Sequence, residues 1–315
     1  MIYRDYNLPD AHKLGFFLFH NISVLILEYH NGSFQYSLPS SLKVLKIDRY
    51  LLKIRPGDLP ETLEYLRIYG TVETFTSKLD LPSSLKILKG TIRCNADCLP
   101  DSIRYLSLKG KASIPTLPID LTKLKLNLTP MNQIGSFPSS LTSLDIFDNT
   151  KIIDVHLPNL IYLKLNLFYC KPPLSPSIKI LKVNNLANSN EYYNLPKSLT
   201  NLDIIGRIYI NRLIFADYEN SDLITLKLTM DGNTQLKSNH LPKSVRNLSL
   251  FKYNSPLSVG VLPPKLETLL FDSFTHPLDP GVLPPTLIAL TLPNVFYQRT
   301  QPGAYPLSLK FVKFE

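Results

Sequence analysis

Residues 38–47 read LPSSLKVLKI, and the same phrase returns along the whole chain. It stands as LPETLEYLRI from Leu59, LPSSLKILKG from Leu81, LPDSIRYLSL from Leu99, LPKSLTNLDI from Leu195 and LPKSVRNLSL from Leu241. Near the end it stands as LPPKLETLLF from Leu262, LPPTLIALTL from Leu283 and YPLSLKFVKF from Tyr305. LPIDLTKLKL from Leu117 and FPSSLTSLDI from Phe137 are close variants, and degenerate copies begin at Leu18, Leu157, Leu174 and Glu219. About 15 units at a period of roughly 20 residues fall within the range of stacked solenoid repeats.

Numbered from its first residue, the phrase is apolar at positions 5, 8 and 10, as in Leu42, Leu45 and Ile47, while positions 7, 9 and 11 vary. Alternation over positions 7 to 11 has a period of two, the signature of a short strand with one buried face. Position 5 is the corner that turns the chain into the strand. Position 1 adds a further apolar residue from the preceding segment. Proline at position 2 fixes φ and donates no hydrogen bond, so the strand begins after it. The Ser or Thr at position 4 (Ser41, Thr62, Ser84, Ser102, Ser140, Ser198, Ser244 and Thr286) is of a type that bonds nearby backbone groups in turns.

One such unit cannot bury its leucine face. Stacked in parallel register, neighbours seal a common interior, and each strand's backbone pairs with the next. Only about ten residues separate one phrase from the next, too few for a strand, two turns and a helix. The pattern therefore predicts a right-handed solenoid of the leucine-rich-repeat type. Its concave side would be a parallel sheet of about 15 short strands, and its convex side would be irregular or 3₁₀. Residues 1–17 are assigned to an N-terminal cap and residues 18–315 to a single repeat domain. The longest gap between phrases, Ile205 to Tyr218, is apolar enough to pack as a larger convex insert.

Composition narrows the class. Hydrophobic residues make up 44% of the chain and Trp is absent, as suits a core of repeated Leu and Ile layers. No apolar run reaches the length of a membrane span. The opening MIYRDYNLPD lacks the basic start and apolar stretch of a secretory leader. The 3 cysteines, Cys94, Cys98 and Cys170, make no disulfide framework, which favours an intracellular, reducing setting. The spacing of Cys94 and Cys98 could hold two metal positions, but no second pair accompanies them, so a loop thiol pair is preferred. The triplets at Asn21, Asn31, Asn127 and Asn247 match a glycosylation acceptor, as expected by chance in so Asn- and Ser-rich a chain.

The stretch YNSPLSVGVLPPKLETLLFDSFTHPLDPGVLPPTLIALTL, residues 253–292, resembles the FNIP family, a leucine-rich-repeat variant of social amoebae and of giant viruses that infect amoebae. The family phrase runs from an aromatic through Pro-Leu and x-x-Gly-x-Leu-Pro to Leu-x-x-Leu. Pro256-Leu257 with Gly260, and Pro277-Leu278 with Gly281, follow it. Upstream, the likeness thins to the Leu-Pro-x-Ser-Leu-x-x-Leu core. The resemblance implies target recognition, in many members beside an N-terminal F-box that docks on a ubiquitin ligase. Here the first repeat begins near Leu18, which leaves no room for an F-box.

Position 9 runs Ile26, Lys46, Arg67, Lys89, Ser107, Lys125, Asp145, Lys164, Lys182, Asp203, Lys227, Ser249, Leu270, Thr291 and Lys313. Position 7 includes Tyr65, Ile87, Tyr105, Tyr162, Ile180 and Phe311. A file of bases thus stands beside aromatics, in a chain of net charge +9. One reading is a groove for an acidic partner. The other is a solvated face, because lysine stems cover exposed strands while their charges stay in water. The groove reading selects Lys46, Arg67, Lys89, Lys125, Lys164 and Lys182 with Tyr65, Tyr105 and Tyr162.

Nucleic acid is disfavoured, since no RNA signature or zinc module is present. His12, His20, His30, His156, His240 and His276 show no metal-ligand spacing. No nucleophile elbow, Walker loop or dinucleotide fingerprint occurs. Asp145 and Asp203 are several repeats apart, so they form no acid/base pair. The expectation is a non-enzymatic protein-interaction module without a cofactor. The alternatives are a structural component of a virion or other large assembly, and a ubiquitin-ligase substrate receptor acting with a separate F-box protein. The last phrase ends in mid-strand at Phe314 and Glu315, which suggests self-association or partner pairing at that edge.

Overall fold

A computed structural model describes residues 4–5, 21–27, 38–50, 54–75, 78–94, 98–110, 116–128, 136–147, 157–168, 174–186, 193–208, 210, 213–215, 219–230, 234–296 and 301–315. The chain forms two compact units, Met1–Thr150 and Lys151–Glu315. In the first, the strands are β1 (Arg4–Asp5), β2 (Val24–Leu27), β3 (Val44–Tyr50), β4 (Tyr65–Phe75), β5 (Ile87–Cys94), β6 (Tyr105–Gly110), β7 (Lys123–Leu128) and β8 (Ser143–Ile146). They lie side by side in chain order, and each described pairing is parallel. In the second unit, β9 (Tyr162–Phe168), β10 (Ile180–Leu186), β12 (Asn201–Ile208), β14 (Thr225–Met230), β15 (Asn247–Phe251), β16 (Thr268–Phe271), β17 (Ala289–Leu292) and β18 (Phe311–Phe314) pair in the same way. Each unit is a parallel β-solenoid in which successive repeats contribute one strand each to the main sheet. Among the described residues there is no α-helix, and Lys78–Asp80 form a 3₁₀ turn.

The repeat phrase explains how each coil closes. The Pro39 carbonyl accepts the Leu42 N–H at 3.0 Å, and the same position-2 to position-5 turn recurs at Pro60–Leu63, Pro82–Leu85 and Pro284–Leu287. The next amide, on Lys43, donates to Ser23 O in the preceding coil at 2.9 Å and so starts the ladder. The position-4 hydroxyls reach further than a local turn. Ser41 donates to Ile22 O, Ser84 to Leu63 O, Ser198 to Ile178 O and Ser308 to Leu287 O, at 2.7–3.0 Å. Each acceptor is the position-5 carbonyl of the preceding coil. The sequence points to bonding within the turn. The structure shows instead a file of hydroxyls stitching coil to coil.

Inward side chains form the dry interior. Leu42, Leu45, Leu63, Leu66, Leu85 and Leu88 are 0% exposed, and burying each contributes roughly 1.5–3 kcal/mol. Gly90 stands where position 10 expects an apolar residue, for a steric reason. A Cβ there would lie 2.0 Å from the Ile68 carbonyl oxygen, at a register shift between β4 and β5. Along residues 253–296, Tyr253, Phe271, Phe274 and Phe296 stack with centroid separations of 4.7–6.3 Å. Gly260 and Gly281 turn the chain there at φ near +80° (79° and 80°), a conformation that costs residues with a Cβ.

The Ile205–Tyr218 gap contributes its own pairing. β13 (Leu213–Phe215) pairs in parallel with β11 (Tyr193–Leu195) in a separate two-stranded sheet. The segment assigned to a cap contributes β1, whose Arg4 pairs with Ile26. Cys98 corrects an expectation. It is buried and disulfide-bonded rather than one half of a thiol pair, and the Cys94 side chain and Cys170 lie outside the described residues. Packing explains part of this, since Cys98 sits among interior positions, beside the buried Leu99 at position 1 of its phrase.

Candidate binding surface

Strand alternation sends Leu45 and Ile47 of β3 inward, and sends Val44, Lys46 and Asp48 to the open face. On β4 the outward set is Tyr65, Arg67 and Tyr69; on β5, Ile87 and Lys89; on β6, Tyr105 and Lys109, with Ser107 between them on the same face but buried. Parallel register stacks these sets in files. Ile26, Lys46, Arg67, Lys89, Ser107, Lys125 and Asp145 follow one another across β2 to β8. Val44, Tyr65, Ile87, Tyr105 and Lys123 form the adjoining file. Neighbours in a file are about 4.8 Å apart along the stack, so like charges stand close and need local compensation.

Aromatic faces supply it. Lys89 Nζ lies 5.5 Å from the Tyr65 ring centroid and 4.6 Å from that of Tyr105. Lys46 Nζ lies 5.7 Å from Tyr65, so two lysines share one ring. Tyr69 receives Arg67 at 5.7 Å and Lys109 at 5.3 Å. Each contact is worth about 0.5–1 kcal/mol at an exposed site, and together they hold the cations in place. Arg67 Nη2 donates to Asp48 Oδ2 at 2.8 Å, and Lys125 pairs with Asp145 at 2.9 Å. The Arg67 Nε–H is buried and meets no acceptor among the described residues.

The structure thus gathers Lys46, Arg67, Lys89, Tyr65 and Tyr105 into one cluster, with Lys125 further along the file. Tyr69, Lys109 and Asp48 join them. They occupy position 11, where the same alternation continues one step beyond the repeated phrase. Lys164, Lys182 and Tyr162 belong to the second unit. There Lys164 is in register with Lys182, Lys182 with Asp203, and Tyr162 with Ile180. Further along that unit, Asn201, Thr225, Asn247 and Thr268 replace the tyrosines. Thr268 Oγ1 donates to Asn247 Oδ1 at 2.8 Å.

Beside the outward files runs position 6, where Glu64 pairs with Lys86 at 2.8 Å. That hydrogen bond and charge, with a smaller contribution from Lys43, hold the Glu64 carboxyl below its ordinary value. In the second unit, burial and the charge of Lys237 push His240 below the usual imidazole value. Its Nδ1 accepts the Lys237 amide at 3.2 Å. His276 Nε2 meets Asn254 O at 3.1 Å. His12, His20, His30 and His156 lie outside the described residues. Among the described residues no cluster of His, Cys, Asp or Glu could hold a metal, and no helix is long and apolar enough to cross a membrane.

Comparison with known proteins adds family and fold. The family described as FNIP Repeat matches residues 233–274 and 253–295. The crystal structure of CroV588, a circular LRR protein, superposes with a TM-score of 0.65 at 24% identity. The match covers 93% of this chain and 46% of that one, so the chain spans about half the length of that protein. YopM, a leucine-rich effector protein from Yersinia pestis, superposes with a TM-score of 0.54 at 20% identity, covering 93% of this chain and 83% of its own. At such identities the two likenesses speak for the fold alone. No curated protein matches the sequence.

Proposed function

We propose, for a chain whose residues 233–295 are FNIP repeats, a non-enzymatic interaction module that takes an acidic protein partner on the outward face of β3 to β6. The observation that carries this reading is the register-aligned run Lys46, Arg67 and Lys89, held against Tyr65, Tyr69 and Tyr105. Cations fixed on rings lose little freedom on binding, and aromatic rings beside them add contact area. Lys125 extends the cluster, and Lys164, Lys182 and Tyr162 make a smaller patch in the second unit. Poly-glutamate is the probe. Its affinity should fall steeply with salt and vanish on joint reversal of Lys46, Arg67 and Lys89 to Glu. Affinity that is flat in salt, or that survives the triple reversal, removes the electrostatic part of the proposal.

No compartment forms part of the proposal.

A further inference from the structure

The cationic cluster contains one carboxylate of its own. Among the described outward side chains of β3 to β6, Lys46, Arg67, Lys89 and Lys109 face a single acid, Asp48, while Lys125 further along has its own partner in Asp145. Asp48 reaches Arg67 by one oxygen, Oδ2 to Nη2 at 2.8 Å. A guanidinium presents its donors as a planar fork that suits two carboxylate oxygens side by side. Here the fork is half used, because the buried Nε–H has no acceptor among the described residues. A buried donor left unpaired is an unusual and unfavourable arrangement. Arg67 also stands between Tyr65 and Tyr69 on the open face of its own strand, with Tyr69 5.7 Å from its guanidinium carbon. The pair remains within reach of solvent, at 29% and 36% side-chain exposure.

We propose that Asp48 holds the place of a partner's carboxylate on Arg67, and that the partner binds through an aspartate or glutamate side chain that displaces it. Once Asp48 leaves, the guanidinium is free to turn and offer Nε and Nη2 together, whereas Asp48 engages Nη2 alone. Lys46 and Lys89, held on Tyr65, stabilise the incoming charge from either side. Asp48 would therefore set a threshold: weakly acidic surfaces fail to compete with it, and dense acidic segments succeed. This inference rests on the acidic-partner reading above and names the chemistry of its contact.

The test uses the full chain and a short labelled glutamate–alanine peptide, acetylated and amidated so that only side-chain carboxylates are present. Fluorescence anisotropy at low salt reads the affinity. Asp48→Asn should tighten binding by about three- to tenfold, and Arg67→Lys should weaken it by about tenfold. In the double variant the gain from Asp48→Asn should disappear. Should Asp48→Asn misfold, Asp48→Ser removes the same charge. Salt-dependent binding that Asp48→Asn leaves unchanged or weakens overturns the stand-in role and leaves the acidic-partner reading intact. No binding by any variant overturns both. A phosphoserine version of the peptide, or an oligothymidylate, that gains more from Asp48→Asn than the glutamate peptide does overturns the assignment to a carboxylate.

Discussion

The outward faces of β3–β6 and of β14–β17 are built by the same phrase and differ in nearly every exposed residue. The interiors behind them are alike: Leu45, Leu66, Leu88 and Leu106 are 0% exposed on one side, and Leu226, Leu248, Leu269 and Leu290 are 0–2% exposed on the other. Outside, Lys46, Arg67 and Lys89 with their tyrosines give way to Lys227, Ser249, Leu270 and Thr291 beside Thr225, Asn247 and Thr268. The lesson is a division of labour by parity. Inward positions determine whether a coil stacks at all. Outward positions carry little of that burden, so a densely charged aromatic surface in one place and one with a single cation, Lys227, in another cost the fold almost nothing.

That division predicts where mutations should be equal and where they should not. Leu88→Ala and Leu248→Ala each empty a buried site of the same kind, so each should lose about 2–5 kcal/mol in urea unfolding. The two losses should resemble one another despite the different surfaces outside. A Leu88 loss far larger than its counterpart would mean that the cationic face contributes to stacking after all. One step down, Ser84→Ala and Ser244→Ala each remove a hydroxyl that donates at 2.8 Å to the preceding coil. Each should cost about 1 kcal/mol. If either is silent in the same assay, the hydroxyl file is dispensable in that unit.

Much of this was legible in the phrase itself. Alternation identifies Leu45 and Ile47 as inward and Lys46 as outward without any coordinates, and a fixed phrase fixes the register, so the file Lys46–Arg67–Lys89 follows from counting. Partners one coil away are less legible. Ser84 announces a turn, but its acceptor, Leu63 O, becomes a neighbour only after stacking. Tyr69, Lys109 and Asp48 lie where the repeated phrase has already ended and residue identity varies. Which lysine rests on which ring depends on side-chain rotamers, and a sequence pattern does not encode those. Gly90 looks like a defect in the phrase, yet the Ile68 carbonyl beside it admits nothing larger.

The smallest effect should separate the two units most cleanly, because their titrating groups respond to acid in different windows. His240, in the second unit, has its folded value pushed below the ordinary 6.5 by burial, then by Lys237. Its neutral form therefore belongs to the fold. The stability it contributes is complete above 6.5 and is lost as pH falls from there through the lowered folded value. Glu64, in the first unit, is held below 4.5 by Lys86 and then Lys43. Its contribution is complete above 4.5 and is lost only on further acidification. On lowering the pH from neutrality, the His240 contribution in the second unit should be lost first, and the Glu64 contribution in the first unit only in the carboxylate range. Thermal melts followed by hydrogen exchange can assign each loss to its unit. His240→Asn should flatten the upper window and leave the lower one unchanged, and Glu64→Gln should do the reverse. If His240→Asn leaves the upper window as steep as before, another group governs the acid response of that unit.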